Sequence, residues 1–282
     1  MPRLKSILTY LNKLAPLEYA PKWDNVGLLV EPTIYSQTNP NSQNLSKILL
    51  TNDLTLKVLD EALQKKVNMI ISYHPPIFGK GFLRMNQKSV KERIILKCIE
   101  NEIAVYSPHT AFDCARGGVN DWLIRGCLAG SNVAGGEHPP VDKAGPNYPE
   151  NVGFGRICSS IETPEFTTKK AIENVLNLTK LQNVSYSKPN NENDTINSLA
   201  VCAGSGGSVL RNLAGKVDLI VTGEMSHHEI LNFTENDTGV ILCHHSNSER
   251  GFLGELRGKM GGEFGDLEVI VSESDRDPQL IV

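Results

Sequence analysis

Residues 70–79 read IISYHPPIFG, and this stretch decides the fold because it ends a strand at a histidine. The run Asn68–Tyr73 is rich in apolar β-formers, so it predicts a buried strand. Pro75 and Pro76 cannot donate an N–H to a sheet, so the strand cannot continue beyond them. The stretch therefore predicts a strand that ends at His74 and places this residue in a crevice beyond the end of the strand.

Short apolar runs alternate with helical patterns along the rest of the chain. Strands that alternate with helices are typical of βαβ units, which build parallel or mixed sheets. The predicted fold class is therefore α/β, with mixed or parallel sheets. The other predicted strands are Lys47–Thr51, Ile103–Ser107, Gly153–Cys158, Leu181–Tyr186, Leu199–Ala203, Val217–Thr222, Val240–Cys243 and Leu267–Val271. The predicted helices lie near 4–14, 54–66, 89–101, 118–129, 168–178, 207–214, 226–234 and 248–260.

A stretch dense in glycine and proline, residues 131–151, predicts the boundary between two α/β lobes. The N-terminal lobe would span residues 1–132 and the C-terminal lobe residues 133–282, with no inserted domain. Two polar stretches, residues 33–45 and 188–197, predict a connector and an exposed loop.

The composition bounds the partners and the compartment. The net charge is −4 over 282 residues, and no basic run is present, so direct nucleic-acid binding is not expected. No apolar stretch approaches the roughly 20 residues that span a membrane. The six cysteines form no C-x-x-C pair, which is typical of a reducing compartment. We expect a cytoplasmic protein, with mitochondrial targeting by the basic N-terminus as the alternative.

Most histidines of this chain lie just beyond the ends of predicted strands. The carboxyl ends of parallel strands open onto a shared crevice, so we expect these side chains to converge. His138, the seventh, lies in the predicted linker. The histidines at strand ends are His74, His109, His227, His228, His244 and His245.

Carboxylates accompany two of these histidines. Asp113 follows His109 by four residues, and Glu249 follows His245 by four. Imidazole nitrogen and carboxylate oxygen are the ligands suited to zinc, iron(II) or manganese, and thiolate ligands find no support. A metal so held can activate water, which is the usual basis of metal-assisted hydrolysis.

Each of these residues also has a structural interpretation. His74 before two prolines could be a turn residue bonded to the backbone. Asp113 could bond to the backbone of its own loop, and Glu249 could simply favour the first turn of a helix. A metal site is favoured because all three alternatives would have to hold at once.

Three further segments carry weaker signals. Asp53 is placed to cap the helix near 54–66. The segment Ala203–Gly207 could be a tight turn or could present N–H groups to an anion. Glu224, His227 and His228 could orient ligands or form an ordinary helix N-terminus.

Taken together, six motifs resemble the Nif-three-like family (NGG1-interacting-factor-three-like), whose members are also labelled GTP cyclohydrolase 1 type 2 homologues. The resemblance runs from about residue 4 to residue 272. The motifs are WDNVGLLV (23–30), SYHPPIF (72–78), HTAFDCARGGVNDWL (109–123), VCAGSG (201–206), DLIVTGEMSHH (218–228) and HSNSERGFL (245–253).

The resemblance implies a two-lobed α/β fold with a metal site in the inter-lobe cleft, and a ring-shaped homohexamer. It also implies a pair of divalent metals, held by two adjacent histidines, an aspartate and a distal His and Glu. On this chain the matching ligands are His74, Asp113, His245 and Glu249, with His109 as a further candidate.

Tyr73 stands where the family carries the first histidine of the pair. A neutral tyrosine is a poor ligand, so we expect one firm metal site and a second that is weak, absent or dependent on His109.

The function expected is hydrolysis of a small nucleotide-like or phosphorylated substrate by a divalent-metal enzyme. Glu249, Glu224 and His228 would relay protons. The alternative is a non-enzymatic, oligomeric metal-binding regulatory protein that acts through protein partners, as the family name suggests.

Overall fold

A computed structural model describes residues 1–36, 39, 42–79, 81, 84–163, 166–191 and 194–279. The chain divides into two compact units. Unit 1 comprises Met1–Phe112 and Leu253–Arg276, and unit 2 comprises Asp113–Phe252 and the chain from Asp277 on. These divisions differ from the predicted boundary after residue 132. Glycine and proline mark loops, whereas unit membership follows strand pairing, and a C-terminal strand pairs with the sheet of unit 1.

Unit 1 contains a five-stranded mixed sheet. Its central strands are short apolar runs buried on both faces, the pattern expected where a parallel sheet is covered on both sides. The edge strand Gly27–Val30 is antiparallel to its neighbour, and the other pairs are parallel. In spatial order the strands are Gly27–Val30, Ala104–Ser107, Met69–Ser72, Lys47–Thr51 and Glu268–Val271.

The helices of unit 1 bury one apolar face each. On the Leu56–Gln64 helix, Val58, Leu59 and Ala62 are buried. Its N-cap is Thr55, whose hydroxyl accepts from the Val58 N–H, so the prediction that Asp53 caps this helix is wrong. The helices are Leu4–Leu14, Leu56–Gln64, Val90–Glu100 and Phe252–Glu263, which begins at the last residue of unit 2, with 3-10 turns at Leu17–Tyr19 and Thr33–Tyr35.

Unit 2 contains a second five-stranded mixed sheet, with parallel strands in the centre and an antiparallel strand at each edge. In spatial order the strands are Arg156–Cys158, Leu199–Ser205, Leu219–Glu224, Gly239–Leu242 and Ser185–Ser187. Asp142–Lys143 and Gly153–Phe154 form a separate antiparallel pair.

Helices and one buried ion pair complete unit 2. The Arg156 guanidinium is buried and donates to both carboxylate oxygens of Asp121, which fixes the edge strand to the helix that carries Asp121. The helices of unit 2 are Val119–Cys127, Thr168–Thr179, Gly207–Leu210, His227–Glu235 and Asn247–Arg250. Thr110–Cys114 begins in unit 1 and ends in unit 2, and Arg211–Leu213 is a 3-10 turn.

In both units, none of the helices in the described ranges is long and apolar enough to cross a membrane.

The predicted α/β class with mixed and parallel sheets is confirmed. The predicted strand 153–158 is two strands, because Gly155 adopts a φ of +61° between them. The predicted helix 248–260 is also two helices, which meet at Gly251. Parts of the predicted connector 33–45 and of the predicted loop 188–197 lie outside the described residues.

Candidate metal centre

The backbone around His74 is fixed by the neighbouring strand. The N–H groups of Tyr73 and His74 still donate to the carbonyls of Thr51 and Asn52, although the strand itself ends at Ser72. The next residue is a proline, which has no N–H and ends the ladder. As the sequence predicts, the backbone pairing ends at His74, just beyond the end of the strand.

The His74 ring is held by a carboxylate. Its Nδ1 lies 2.9 Å from Oδ1 of Asp53, on the segment that follows the neighbouring strand Lys47–Thr51. A carboxylate on Nδ1 favours the tautomer with a proton there and leaves a lone pair on Nε2. Sequence reasoning missed this partner, although Asp53 follows an adjacent strand at the same edge of the sheet.

His109 is held in the same way by a buried carboxylate. Its Nδ1 lies 2.8 Å from both carboxylate oxygens of Asp24, whose side chain has no exposed surface. Asp24 also accepts from the hydroxyl and the N–H of Thr110. Burial would raise the pKa of Asp24, but the hydrogen bonds from His109 and Thr110 outweigh it and hold the pKa below its usual value. Asp24 is therefore ionised at neutral pH.

Tyr73 is buried beside the two histidines of unit 1. Its ring centroid lies 5.6 Å from that of His74 and 6.2 Å from that of His109, both in edge-to-face geometry. The two imidazole rings are themselves 5.3 Å apart. The Tyr73 carbonyl accepts from the His109 N–H, so the backbone also ties the two histidine segments together.

In unit 2, His245 lies between two carboxylates. Its Nδ1 is 2.9 Å from Oε1 of Glu224, the last residue of the neighbouring strand, and its Nε2 is 3.4 Å from Oε1 of Glu249. Glu224 is 55% exposed at its side chain, whereas the side chain of Glu249 is only 4% exposed. The buried Glu249 thus lies on the Nε2 side, and the exposed Glu224 orients the ring from the solvent.

The segment Ala203–Gly207, where the strand Leu199–Ser205 gives way to the helix Gly207–Leu210, makes room for this pair. Gly204 adopts a φ of +67°, and a Cβ there would lie 2.7 Å from Oε1 of Glu249 and 3.1 Å from Nε2 of His245. The N–H of Gly204 donates to Ser248, and that of Gly206 donates to Thr222. The tight-turn interpretation of this segment is therefore favoured over the anion site.

The remaining predicted residues lie on short helices. Asp113, on the Thr110–Cys114 helix, is half-buried, and its carbonyl accepts from Asn120. His228 is exposed in the first turn of the His227–Glu235 helix, with its ring 5.4 Å from that of His227. That helix begins with a capping box formed by Ser226 and Glu229, so the segment is a well-defined helix N-terminus.

Within the described part of the chain, His74 of unit 1 and the pair His245 and Glu249 of unit 2 each offer ligand atoms that could hold a metal ion. Two imidazoles and a carboxylate suit zinc, iron(II) or manganese. The cysteines are buried, and burial raises the pKa of the Cys114 thiol to about 12, so thiolates do not compete as ligands. The group is thus a nitrogen and oxygen donor set.

Comparison with known sequences gives one family. The sequence profile described as Duf34/NIF3 (NGG1p interacting factor 3) matches residues 2–278. NIF3-like protein 1 of Drosophila melanogaster is 43% identical, over 99% of this chain and 89% of the relative. NGG1-interacting factor 3 of Saccharomyces cerevisiae is 38% identical, over 98% of this chain and 96% of the relative. The resemblance seen in the motifs is confirmed.

Solved structures share the fold. A hypothetical protein of Staphylococcus aureus matches with a TM-score of 0.82 and 21% identity, over 100% of both chains. The reduced HcgD protein of Methanocaldococcus jannaschii matches with a TM-score of 0.76 and 22% identity, over 96% of this chain and 98% of that one. At such identities the likeness shows the fold alone.

Proposed function

The chain belongs to the Duf34/NIF3 family, and on that premise we propose that it is a divalent-metal-dependent hydrolase. Its substrate would be a small nucleotide-like or phosphorylated compound, and its metal zinc, iron or manganese. A cyclohydrolase-type reaction, as in the label carried by family members, is the reaction class to test first.

One repeated contact carries this proposal. In His74, His109 and His245 alike, Nδ1 lies within 2.9 Å of a carboxylate oxygen. Histidines that ligate metals through one ring nitrogen almost always donate the other N–H to a carboxylate, a backbone carbonyl or water, which fixes the tautomer and raises the basicity of the ligand. Three such pairs among the histidines predicted as ligands are difficult to explain by packing, because two of the three carboxylates are substantially exposed.

We assign His74, His245 and Glu249 to one firm metal site, with Asp113 as a further ligand. A second metal would depend on His109, because Tyr73 contributes a buried phenol where the family's first histidine is expected. A divalent metal bound at the firm site would act as a Lewis acid and lower the pKa of a bound water molecule.

The chain's own groups would handle the protons. Glu249 is buried on the Nε2 side of His245, so it can accept a proton at the reacting position. Glu224 bonds to Nδ1 of the same ring and faces solvent, so it can pass a proton outward. His228, exposed four residues after Glu224 in the sequence, is the third member of this proposed relay.

Turnover of a panel of nucleotides and phosphoesters with added zinc, iron(II) or manganese tests the proposal. We expect activity that is lost in Glu249→Gln and His245→Ala while the melting temperature without metal changes little. Glu235→Gln is the matched control, because Glu235 is an exposed carboxylate at the end of a helix. No turnover in the wild-type protein across the panel would contradict the proposal.

The names of the relatives support a second candidate function. The yeast relative is called NGG1-interacting factor 3, so this chain could instead be a regulatory, oligomeric protein with a structural metal and protein partners. In that case Glu249→Gln would lower the melting temperature of the metal-loaded protein or dissociate the oligomer. Sedimentation velocity on the same variant tests whether the oligomer dissociates. Sedimentation velocity on the wild type tests the homohexamer, which stays a prediction. A cytoplasmic location also stays a prediction.

A further inference from the structure

Two large aromatic rings are exposed side by side in unit 1. Trp23 is 62% exposed and Phe78 is 46% exposed. Their ring centroids lie 6.3 Å apart, and their planes meet at 76°. Single exposed apolar side chains are ordinary, but two adjoining aromatic rings form an exposed apolar corner.

Hydrogen bonds on both sides anchor the backbone beside these rings. Asp24, the residue after Trp23, is buried and bound to His109 and Thr110. Asn25 donates from its side chain to the carbonyl of Ile77 over 2.7 Å, and Ile77 precedes Phe78. The backbone beside each ring is therefore anchored, although the rings themselves are exposed.

The corner adjoins a histidine of the proposed metal centre. The ring centroids of Trp23 and Phe78 each lie 6.4 Å from that of His109. His109 itself adopts a φ of +33°, which is unfavourable for a residue with a Cβ. Such strain persists where the surrounding contacts hold the residue, and it is common at functional sites.

We propose that Trp23 and Phe78 form a stacking site for a planar heteroaromatic ring, a nucleobase or a similar heterocycle, carried by the substrate. This inference rests on the proposed hydrolase function and narrows its substrate class. The His109 ring lies beside both aromatic rings, and because its Nδ1 is bound to Asp24, we expect its Nε2 to be the ring nitrogen that meets a polar edge of the bound heterocycle or a metal. Base–aromatic stacking tolerates many ring types, so the site selects for a heterocycle and not for one base.

Tryptophan fluorescence reports on this site. The chain has two tryptophans, and Trp122 is only 6% exposed, so quenching by an added ring reports chiefly on Trp23. We would titrate the full chain with guanosine in the presence of EDTA, with ribose 5-phosphate as the probe that lacks a ring. The expected result is saturable quenching by guanosine and none by ribose 5-phosphate.

Variants separate stacking from general apolar contact. Equilibrium dialysis of labelled guanosine should show about a 10-fold or greater loss of affinity in Trp23→Leu and a loss in Phe78→Leu, whereas Trp23→Phe keeps most of the affinity. Leu231→Ala removes an exposed apolar side chain in unit 2 and is the matched control, with wild-type affinity expected. Melting temperatures of all variants should stay close to the wild-type value, because the substituted side chains are exposed.

The outcomes decide the proposal in either direction. Absence of saturable guanosine binding, or equal affinity in Trp23→Leu and wild type, would overturn it. A change of sedimentation coefficient in Trp23→Leu with unchanged guanosine binding would assign the corner to a subunit contact and also overturn it. Because the titration contains EDTA, ring binding without any metal-dependent turnover would retain this site and reject the hydrolase. Metal-dependent turnover without guanosine binding would retain the hydrolase and reject the stacking site.

Discussion

In unit 1 the carboxylate that holds His109 is fully buried, whereas in unit 2 the carboxylate that holds His245 is half exposed. The hydrogen-bond distances are nearly the same, at 2.8 Å and 2.9 Å. When a buried carboxylate is removed, water cannot reach the site to accept the hydrogen bonds that its donors lose. An exposed carboxylate is readily replaced by solvent. We therefore expect Asp24 to support the fold as well as the histidine, and Glu224 to act mainly on the orientation of its ring.

Asp53 lies between these extremes. Its side chain is 40% exposed, and it holds His74, whose side chain is mostly buried. If the comparison is right, the effects of removing these carboxylates on stability follow their burial, while their effects on metal affinity follow their contact with a ligand.

Asp24→Ala should have the largest effect. It leaves the His109 ring and the Thr110 hydroxyl without a buried acceptor, so we expect the free energy of unfolding to fall by about 3–5 kcal/mol. Urea denaturation in EDTA measures this. In the same assay Glu224→Ala should cost less than about 1 kcal/mol. Equal losses in the two variants would show that burial does not distinguish the two carboxylates.

Acid should reveal a second buried carboxylate of unit 1. Burial raises the pKa of Glu61, but hydrogen bonds from Lys65, Ser272 and the N–H groups of Glu273 and Ser274 lower it to about 2. Because the folded pKa is depressed, this contribution is fully present above the unfolded value of 4.5 and is lost as pH falls from there toward about 2. The full loss is about 3 kcal/mol.

The free energy of unfolding measured between pH 6 and pH 2.5 checks the role of Glu61. Glu61→Gln should flatten this dependence. Glu229→Gln is the matched control, since Glu229 also has a lowered pKa but caps an exposed helix of unit 2, where solvent screens the effect. A wild-type acid profile in Glu61→Gln would contradict the assignment.

Asp53→Ala and Glu224→Ala should weaken metal binding about 10- to 100-fold each, because each releases the Nδ1 of a proposed ligand. Competition with a chromophoric chelator for zinc measures the affinity. Asp53→Asn should recover part of it, since an amide oxygen can still accept from Nδ1–H. The proposal that these carboxylates orient ligands is wrong if both alanine variants bind zinc as the wild type does.

Gly204→Ala should lower stability by less than Asp24→Ala does. Its φ of +67° disfavours a side chain, and the new Cβ would push against Glu249, so we expect a loss of about 1–2 kcal/mol together with weaker zinc binding. Gly258→Ala is the control, because that helical position has open space and should gain about 0.5–1 kcal/mol. Wild-type zinc affinity in Gly204→Ala would show that zinc binding does not depend on the position of the Glu249 side chain.

The sheets could be predicted well from sequence because their central strands are apolar runs with clear ends. The strand Gly27–Val30 was missed, since it is only four residues long, begins with glycine and buries only its first and last residues. The division into units was not anticipated either. It depends on the pairing of Glu268–Val271 with Lys47–Thr51, a contact between distant parts of the chain that no local composition reports.

The histidines were found because strand ends are visible in the sequence, but the carboxylates that hold them were found only in part. Asp24 lies 85 residues from His109, and Asp53 lies 21 residues from His74. Asp53 was interpreted as a helix cap because capping is the local role of such a residue, and Thr55 performs that role instead. Which carboxylate meets which imidazole is set by the packing of strands, and the sequence alone carries little signal of it.

Metal content tests the central claim most directly. Protein purified without chelator would be analysed by inductively coupled plasma mass spectrometry, alongside His245→Ala and the control Glu235→Gln. We predict one tightly held divalent metal per chain in the wild type and in Glu235→Gln, and almost none in His245→Ala. Two tightly held metals per chain, or the same metal content in His245→Ala as in the wild type, would contradict the account.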